Sequence, residues 1–176
     1  MVKLLIFLGN PGKLYEKSRH NVGWLLCDKL YPSVQWAEKF HSLHAKVGTV
    51  RLLKPQTYMN ESGKAVRACT DFFNFKAEEI LVVHDDLELP FGTVRFQKGG
   101  GLQGHNGLKS IKSHLGEDGF YRLRFGIGRP AKGSVASYVL LPFSKEEAPL
   151  LPILFDKAEH LLSVDVSALP ATDTLV

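Results

Sequence analysis

Runs of apolar and β-branched residues recur along the chain at "KLLIFL", "AKVGTVRLLK", "EILVVHD", "TVRFQK" and "YRLRFGIG", and several have no polar alternate positions. A strand apolar on both sides must be buried on both, the pattern of a sheet covered on its two faces. Between these runs stand stretches with apolar residues at helical spacing. Val22 to Leu30 is one, Gly63 to Phe73 repeats it through Val66, Cys69, Phe72 and Phe73, and Leu108 to Leu115 makes a shorter one. Strands and helices in alternation predict an α/β fold: a single domain over residues 1–176, with helices on both faces of a twisted, mixed and largely parallel central sheet. "SKEE" at Ser144 to Glu147 fits a capping box before a last helix, whose regular part Pro149 and Pro152 push later. The final "SVDVSALPATDTLV" shows no period, so a tail from about residue 164 to residue 176 is expected to fray.

Composition narrows this picture. With 176 residues and 44% hydrophobic content, the chain can bury one good core and not two. The apolar run in "MVKLLIFLG" stops at Gly9, too short for a secretory signal, and reads as a buried strand. No apolar run is long enough to span a bilayer, so a soluble protein with no membrane partner is expected. Cys27 and Cys69 both fall inside helical apolar patterns, which suggests reduced core thiols and a cytoplasmic location.

Charge is more informative in its placement than in its sum of +4. From Arg95 to Lys132 the basic residues are Arg95, Lys98, Lys109, Lys112, Arg122, Arg124, Arg129 and Lys132, opposed only by Glu117 and Asp118. After Lys132 the sign reverses. A segregated basic zone is the footprint of a polyphosphate or nucleic-acid partner, although a solvated cationic face has the same composition.

Polar clusters follow the strands. "GNPG" leaves the first, "PQTYMN" follows "VRLLK", "HDDLELP" follows "ILVV" and "GGGLQGHNG" follows "TVRFQ". In open α/β sheets ligands bind beyond the carboxyl ends of the strands, so these four loops are expected to converge on one cleft. Gly99, Gly101 and Gly104 satisfy the G-x-G-x-x-G dinucleotide pattern, but the acidic residue that pattern needs at the end of the next strand is missing. What remains is a loop whose backbone can approach a ligand, or a flexible strand-to-helix turn. A metal held by His84, Asp85, Asp86, His20 or His105 is a further reading, for which no His-x-Glu, Cys-x-x-Cys or His-Glu-x-x-His spacing is present. No metal or other cofactor is expected.

No serine stands in a G-x-S-x-G elbow, and neither cysteine occupies a catalytic loop. A hydrolase built on this chain would let water attack directly. That requires a base titrating near neutrality, which among unperturbed side chains is histidine, a carboxylate to fix its tautomer, and neutral donors for the developing oxyanion. "SRHNVGWLL" sets His20 beside Asn21 at a helix entrance, and Asp85 can serve as the orienting carboxylate. Asn10, Asn21, Asn60 and Asn106 all fall in the cleft loops, where asparagine is equally a common turn residue.

Taken together, "LGNPGKLYEKSRHNVG", "KPQTYMNESGKAV", "ILVVHDDLELPFG", "GGGLQGHNGLKSI" and "RLRFGIGRP" resemble the bacterial-type peptidyl-tRNA hydrolases, in order and from about Leu4 to Pro130. Ser18 stands where that family usually has threonine. The resemblance implies hydrolysis of the ester between a peptide and the 3′ ribose of its tRNA, which recycles tRNA from prematurely released chains, and it fits the metal-free reading above. Nothing in the chain suggests an obligate apolar interface, so a monomer is expected. It implies His20 as general base, Asp85 as the residue holding it, and Asn10 as the sensor of the acylated amino group. Asn60 and Asn106 match positions that grip the substrate near the ester, and Tyr15 and Tyr58 resemble tRNA-contacting aromatics. Lys98, Lys109, Arg124 and Arg129 are the candidates for tRNA phosphates. Two competing functions remain: an RNA-binding protein that kept the fold and lost catalysis, and a nucleotide-binding enzyme built on the glycine loop.

Overall fold

A computed structural model describes residues 1–175. The chain forms an eight-stranded sheet in the order β2-β3-β4-β1-β5-β7-β6-β8. The strands are β1 (Leu4–Phe7), β2 (Ala37–Lys39), β3 (Ser42–Val47), β4 (Val50–Pro55), β5 (Ile80–Asp86), β6 (Thr93–Lys98), β7 (Tyr121–Gly126) and β8 (Ala171–Thr174). The helices are α1 (Val22–Leu30), α2 (Ser62–Phe73), α3 (Asn106–Leu115), α4 (Val135–Leu140) and α5 (Leu151–Leu162).

The alternation of the central strands explains the layers. On β1, Leu5 and Phe7 turn to one face and pack with Val22, Leu26 and Cys27 of α1, Val139 of α4 and Leu154 and Ala158 of α5. Leu4, Ile6 and Leu8 turn to the other and meet Val66 and Cys69 of α2 and Leu108 and Ile111 of α3. Every residue of β1 and β5 is buried. Fully burying one such Leu, Ile or Phe is worth about 1.5–3 kcal/mol, so the all-apolar runs are what holds the three layers together. Cys27 and Cys69 are free, buried thiols, and burial pushes each up to about 12.

The sheet is less parallel than the sequence suggests. β1 runs parallel to β4 and β5, and β5 to β7, but β2, β3, β6 and β8 all pair antiparallel. One cause lies in "AKVGTVRLLK", which is not a single strand but the hairpin of β3 and β4, reversed at Gly48 with φ 61°. That left-handed backbone is easy only without a Cβ. The tail expected to fray instead contributes β8, which registers Ala171–Thr174 against Phe96–Thr93 and covers the edge of β6.

The capping box is present as expected. Ser144 Oγ accepts the Glu147 N–H at 3.1 Å, and Glu147 Oε1 accepts the Ser144 N–H at 2.9 Å. Helix α5 begins after it, at Leu151. No helix of the described residues is long and apolar enough to cross a membrane.

Candidate active site

The parallel strands β1, β4 and β5 point their carboxyl ends the same way, and three polar loops gather there. His20 lies in a 3-10 turn, Arg19–Asn21, directly before α1. Its position depends on Gly23: a Cβ there would stand 2.7 Å from the Leu8 carbonyl oxygen and 2.9 Å from that of Val83. Because Gly23 has none, the start of α1 rests on the backbones of β1 and β5, and His20 comes within reach of the last residues of β5.

Asp85 meets it there. His20 Nδ1 is 2.9 Å from Asp85 Oδ1 and 2.8 Å from Oδ2, and Asp85 is 2% exposed. With Nδ1–H donated to the carboxylate, His20 Nε2 keeps its lone pair and has no protein partner among the described residues. Burial pulls the His20 pKa down, but the charge and hydrogen bond of Asp85 outweigh it, and the net shift is upward. For Asp85, burial works against ionisation and is overcome by His20 and His105, leaving the carboxyl far below the usual carboxylate range.

His20 and Asp85 line a cavity of about 310 Å³ whose other walls include His105, Asn106, Leu87, Leu102 and, on α4, Val135, Ala136 and Val139. Asn106 opens α3 at its rim and is exposed. Asn10 stands beside the cavity rather than in its lining: its Oδ1 accepts the Met59 N–H at 2.6 Å, which directs its Nδ2 donors away from that turn. The same turn, Met59–Glu61, carries Asn60 exposed. Tyr15 is half-buried in the Lys13–Tyr15 turn and Tyr58 is 59% exposed, and neither lines the cavity.

The other residues of "HDD" have separate tasks. His84 donates Nδ1–H to the Asp85 carbonyl at 2.8 Å, and its buried Nε2 has no partner. Burial, with His105 and Arg122 nearby, holds its pKa well below the ordinary histidine value. Asp86 accepts from Arg124 Nε at 2.7 Å and from the Glu88 N–H at 2.8 Å, so this second carboxylate is committed to a buried ion pair.

Among the phosphate candidates, Arg124 is therefore already neutralised, and it also donates to Gln97 at 2.9 Å. Arg129 pairs with Glu88. Lys98 lies 5.8 Å over the Tyr121 ring and Lys109 is exposed in the first turn of α3; neither has a carboxylate partner among the described residues.

His20, Asp85 and His105 bring nitrogen and oxygen ligand atoms within 4.8 Å of one another, a spacing that also suits a metal. The hydrogen bonds argue for protons instead. His105 Nδ1 accepts the Gly107 and Leu108 N–H groups at 3.1 and 3.2 Å, so the ring proton sits on Nε2, the atom that faces Asp85 at 2.9 Å. A cation at that Nε2 would move the proton onto Nδ1, against two backbone donors.

Sequence reasoning missed His105 as a partner of Asp85, and it missed Arg19. Arg19 is 7% exposed and donates to the Pro142 carbonyl at 3.0 Å and to Glu147 at 2.9 Å, while its guanidinium lies 4.0 Å over the Tyr138 ring. It ties the His20 turn to α4 and to the cap of α5. The available signal was an arginine immediately before the candidate base.

Known proteins resemble this chain both in sequence and in fold. The family model described as "Peptidyl-tRNA hydrolase" matches residues 4–172. A peptidyl-tRNA hydrolase of Treponema pallidum is 46% identical over 99% of this chain and 93% of its own length, and one of Aliarcobacter butzleri is 44% identical over 97% and 92%. A crystal structure of peptidyl-tRNA hydrolase from Acinetobacter baumannii superposes with a TM-score of 0.85 at 35% identity, covering 94% of this chain and 89% of that one. With most of its length matched by sequence and by fold, the chain belongs to the peptidyl-tRNA hydrolase family.

Proposed function

We propose that this chain hydrolyses the ester between a peptide and the 3′ ribose of tRNA, with His20 as general base and no metal. The observation that carries this reading is the His20 Nδ1–Asp85 contact at 2.8 Å, at the edge of a cavity. It fixes the tautomer in which Nε2 can take a proton from water as that water attacks the ester carbonyl. The imidazolium so formed then protonates the departing ribose oxygen.

The amide groups have complementary tasks. Asn10, held at Oδ1 by the Met59 N–H, offers its Nδ2 to the acylated end of the substrate and distinguishes a blocked from a free amino group. Asn60 and Asn106 supply neutral donors near the ester, which suits a site beside phosphates because they add no charge. Tyr15 and Tyr58 are surface aromatics for the tRNA end, and Lys98 and Lys109, without carboxylate partners among the described residues, are the cations offered to its phosphates. Contacts of this kind bind any elongator tRNA through backbone and shape. A monomer working in the cytoplasm fits this substrate.

The test is release of peptide from N-blocked aminoacyl-tRNA, with free aminoacyl-tRNA as control and chelator present. The wild type is expected to cleave the first and spare the second, and His20→Ala to be slower by roughly 10²-fold or more. A folded wild type that binds tRNA without cleaving it would leave an RNA-binding protein instead.

A further inference from the structure

Asp85 serves two imidazoles, not one. His20 Nδ1 approaches both of its oxygens, and His105 Nε2 lies 2.9 Å from Oδ1. The two rings stand 5.1 Å apart, tilted at 47°. His105 is also the N-cap of α3, with Nδ1 accepting the first free N–H groups of that helix. A ring nitrogen that accepts cannot carry the proton, so the helix start selects the Nε2–H form of His105 and aims that hydrogen at the carboxylate.

We infer that His105 is a positioning residue for the reaction: locked by α3 as an Nε2–H donor, it takes up part of the Asp85 carboxylate and keeps His20 from becoming too basic to work near neutrality. The inference rests on the reading of His20 as the base. The physical conflict it resolves is plain. A buried carboxylate at 2.8 Å orients an imidazole, but it also favours the imidazolium, which cannot accept a proton from water. A second donor on Oδ1 stabilises the carboxylate whatever the state of His20, and so weakens the pull on the His20 proton while holding the carboxylate plane. The other titratable groups nearby do not take this part. His84 presents its ring to His105 at 5.2 Å with Nδ1–H spent on the Asp85 carbonyl, Asp86 is paired with Arg124, and the Arg19 guanidinium faces Tyr138 and Glu147.

Two substitutions separate the functions of this ring. His105→Asn places an amide oxygen near the former Nδ1, keeping the cap of α3, but is too short to reach Asp85. His105→Gln can extend an amide N–H to Asp85 but caps poorly. The experiment is the pH profile of kcat/KM on N-blocked aminoacyl-tRNA, together with the NMR titration of the His20 ring in the full chain. For His105→Asn the acid limb and the His20 titration should both move to higher pH by roughly half a pH unit or more, with little loss of thermal stability. For His105→Gln both should stay near the wild type while the melting temperature falls. An unmoved titration in His105→Asn, or an equal displacement in His105→Gln, would overturn the assignment. If His105→Asn does not fold, His105→Ser caps through its hydroxyl, is also too short for Asp85, and takes its place. A wild type without hydrolysis would defeat the functional reading instead, and the His20 titration would still decide the pairing at Asp85.

Discussion

Asn21 grips the backbone of Asn10 at both ends: its Oδ1 accepts the Asn10 N–H at 2.9 Å and its Nδ2 donates to the Asn10 carbonyl at 2.9 Å. This pair joins the loop leaving β1 to the turn that carries His20, and Asn21 has no exposed surface. Replacing it by alanine leaves a buried N–H and a buried C=O without partners, each costing about 1–3 kcal/mol. Asn21→Ala is therefore expected to lose roughly 2–4 kcal/mol of unfolding free energy, read from denaturant midpoints, and to slow hydrolysis because His20 and Asn10 no longer share a frame. A loss below about 0.5 kcal/mol would mean that water replaces the amide fully.

Gly23 offers a test in which two effects oppose. Alanine in a helix interior gains about 1 kcal/mol over glycine in propensity. Here the new Cβ would lie 2.7 Å from the carbonyl oxygen of Leu8, the residue after β1, and 2.9 Å from that of Val83 in β5, atoms that cannot move without distorting the sheet. Overpacking of this kind typically costs about 1–3 kcal/mol, so the steric effect should win. Gly23→Ala is expected to lower the melting temperature and to reduce kcat by displacing His20 from Asp85. A variant that melts higher than the wild type would show that α1 can slide outward freely.

The β1 and β5 cores and the helices on both faces follow from the apolar runs, and the cleft beyond β1, β4 and β5 from the loops that leave them; the pairing of His20 with Asp85 is what the family resemblance implies. The glycine loop departs from expectation, because antiparallel β6 ends opposite Tyr121, away from Asp85, and the loop returns to the cleft only at Leu102–Asn106. Gly23 and Gly107, each shortly after a His-Asn pair, are both places where a Cβ would collide with neighbouring elements, a demand that shows only in the folded chain. What stayed hidden depends on contacts made far along the chain. The tautomer of His105 is set by α3 and its partner by β5, and Arg19 finds Pro142 and Glu147 only after the whole chain has folded. Strands β2 and β8 escaped notice because edge strands need little burial: "AEK" is exposed at every residue and "ATDT" has no buried position. The short α4 escaped too, though Ser134 caps it through the Ser137 N–H.

The His20–Asp85 pair should leave a mark on stability as well as on rate. The His20 pKa is raised in the folded state, so its contribution is complete below the unfolded value near 6.5 and is lost as pH rises through the folded value. That of Asp85 is lowered, so its contribution is complete above the unfolded value near 3.8 and is lost as pH falls toward the folded one. The two overlap between about pH 4 and pH 6.5. The stability difference between wild type and Asp85→Asn, measured by urea unfolding across pH, should be greatest in that window and shrink on both sides. In the same variant kcat should fall by roughly 10²-fold or more, since the amide no longer selects the tautomer with a free Nε2. A pH-independent difference would mean that the pair contributes packing and no charge.

The basic zone divides by partner, and salt separates the parts. Lys98 and Lys109 carry exposed ammonium groups without carboxylates, so binding of tRNA phosphates at each would release a counterion. Lys98→Ala and Lys109→Ala should each weaken substrate capture and reduce the slope of log kcat/KM against log salt by roughly one, while leaving the unfolding midpoint in place. Arg124 should behave oppositely. Its guanidinium is 14% exposed and its removal would strand Asp86, 3% exposed, without a charge partner, a loss of about 3–5 kcal/mol in stability with little change in salt slope. Arg129 and Glu88 form an exposed pair worth about 0–1 kcal/mol, so Arg129→Ala should alter the melting temperature little. If Arg124→Ala instead keeps its stability and lowers the salt slope, the tRNA draws that guanidinium away from Asp86, and the phosphate contact lies on β7 rather than on the first turn of α3.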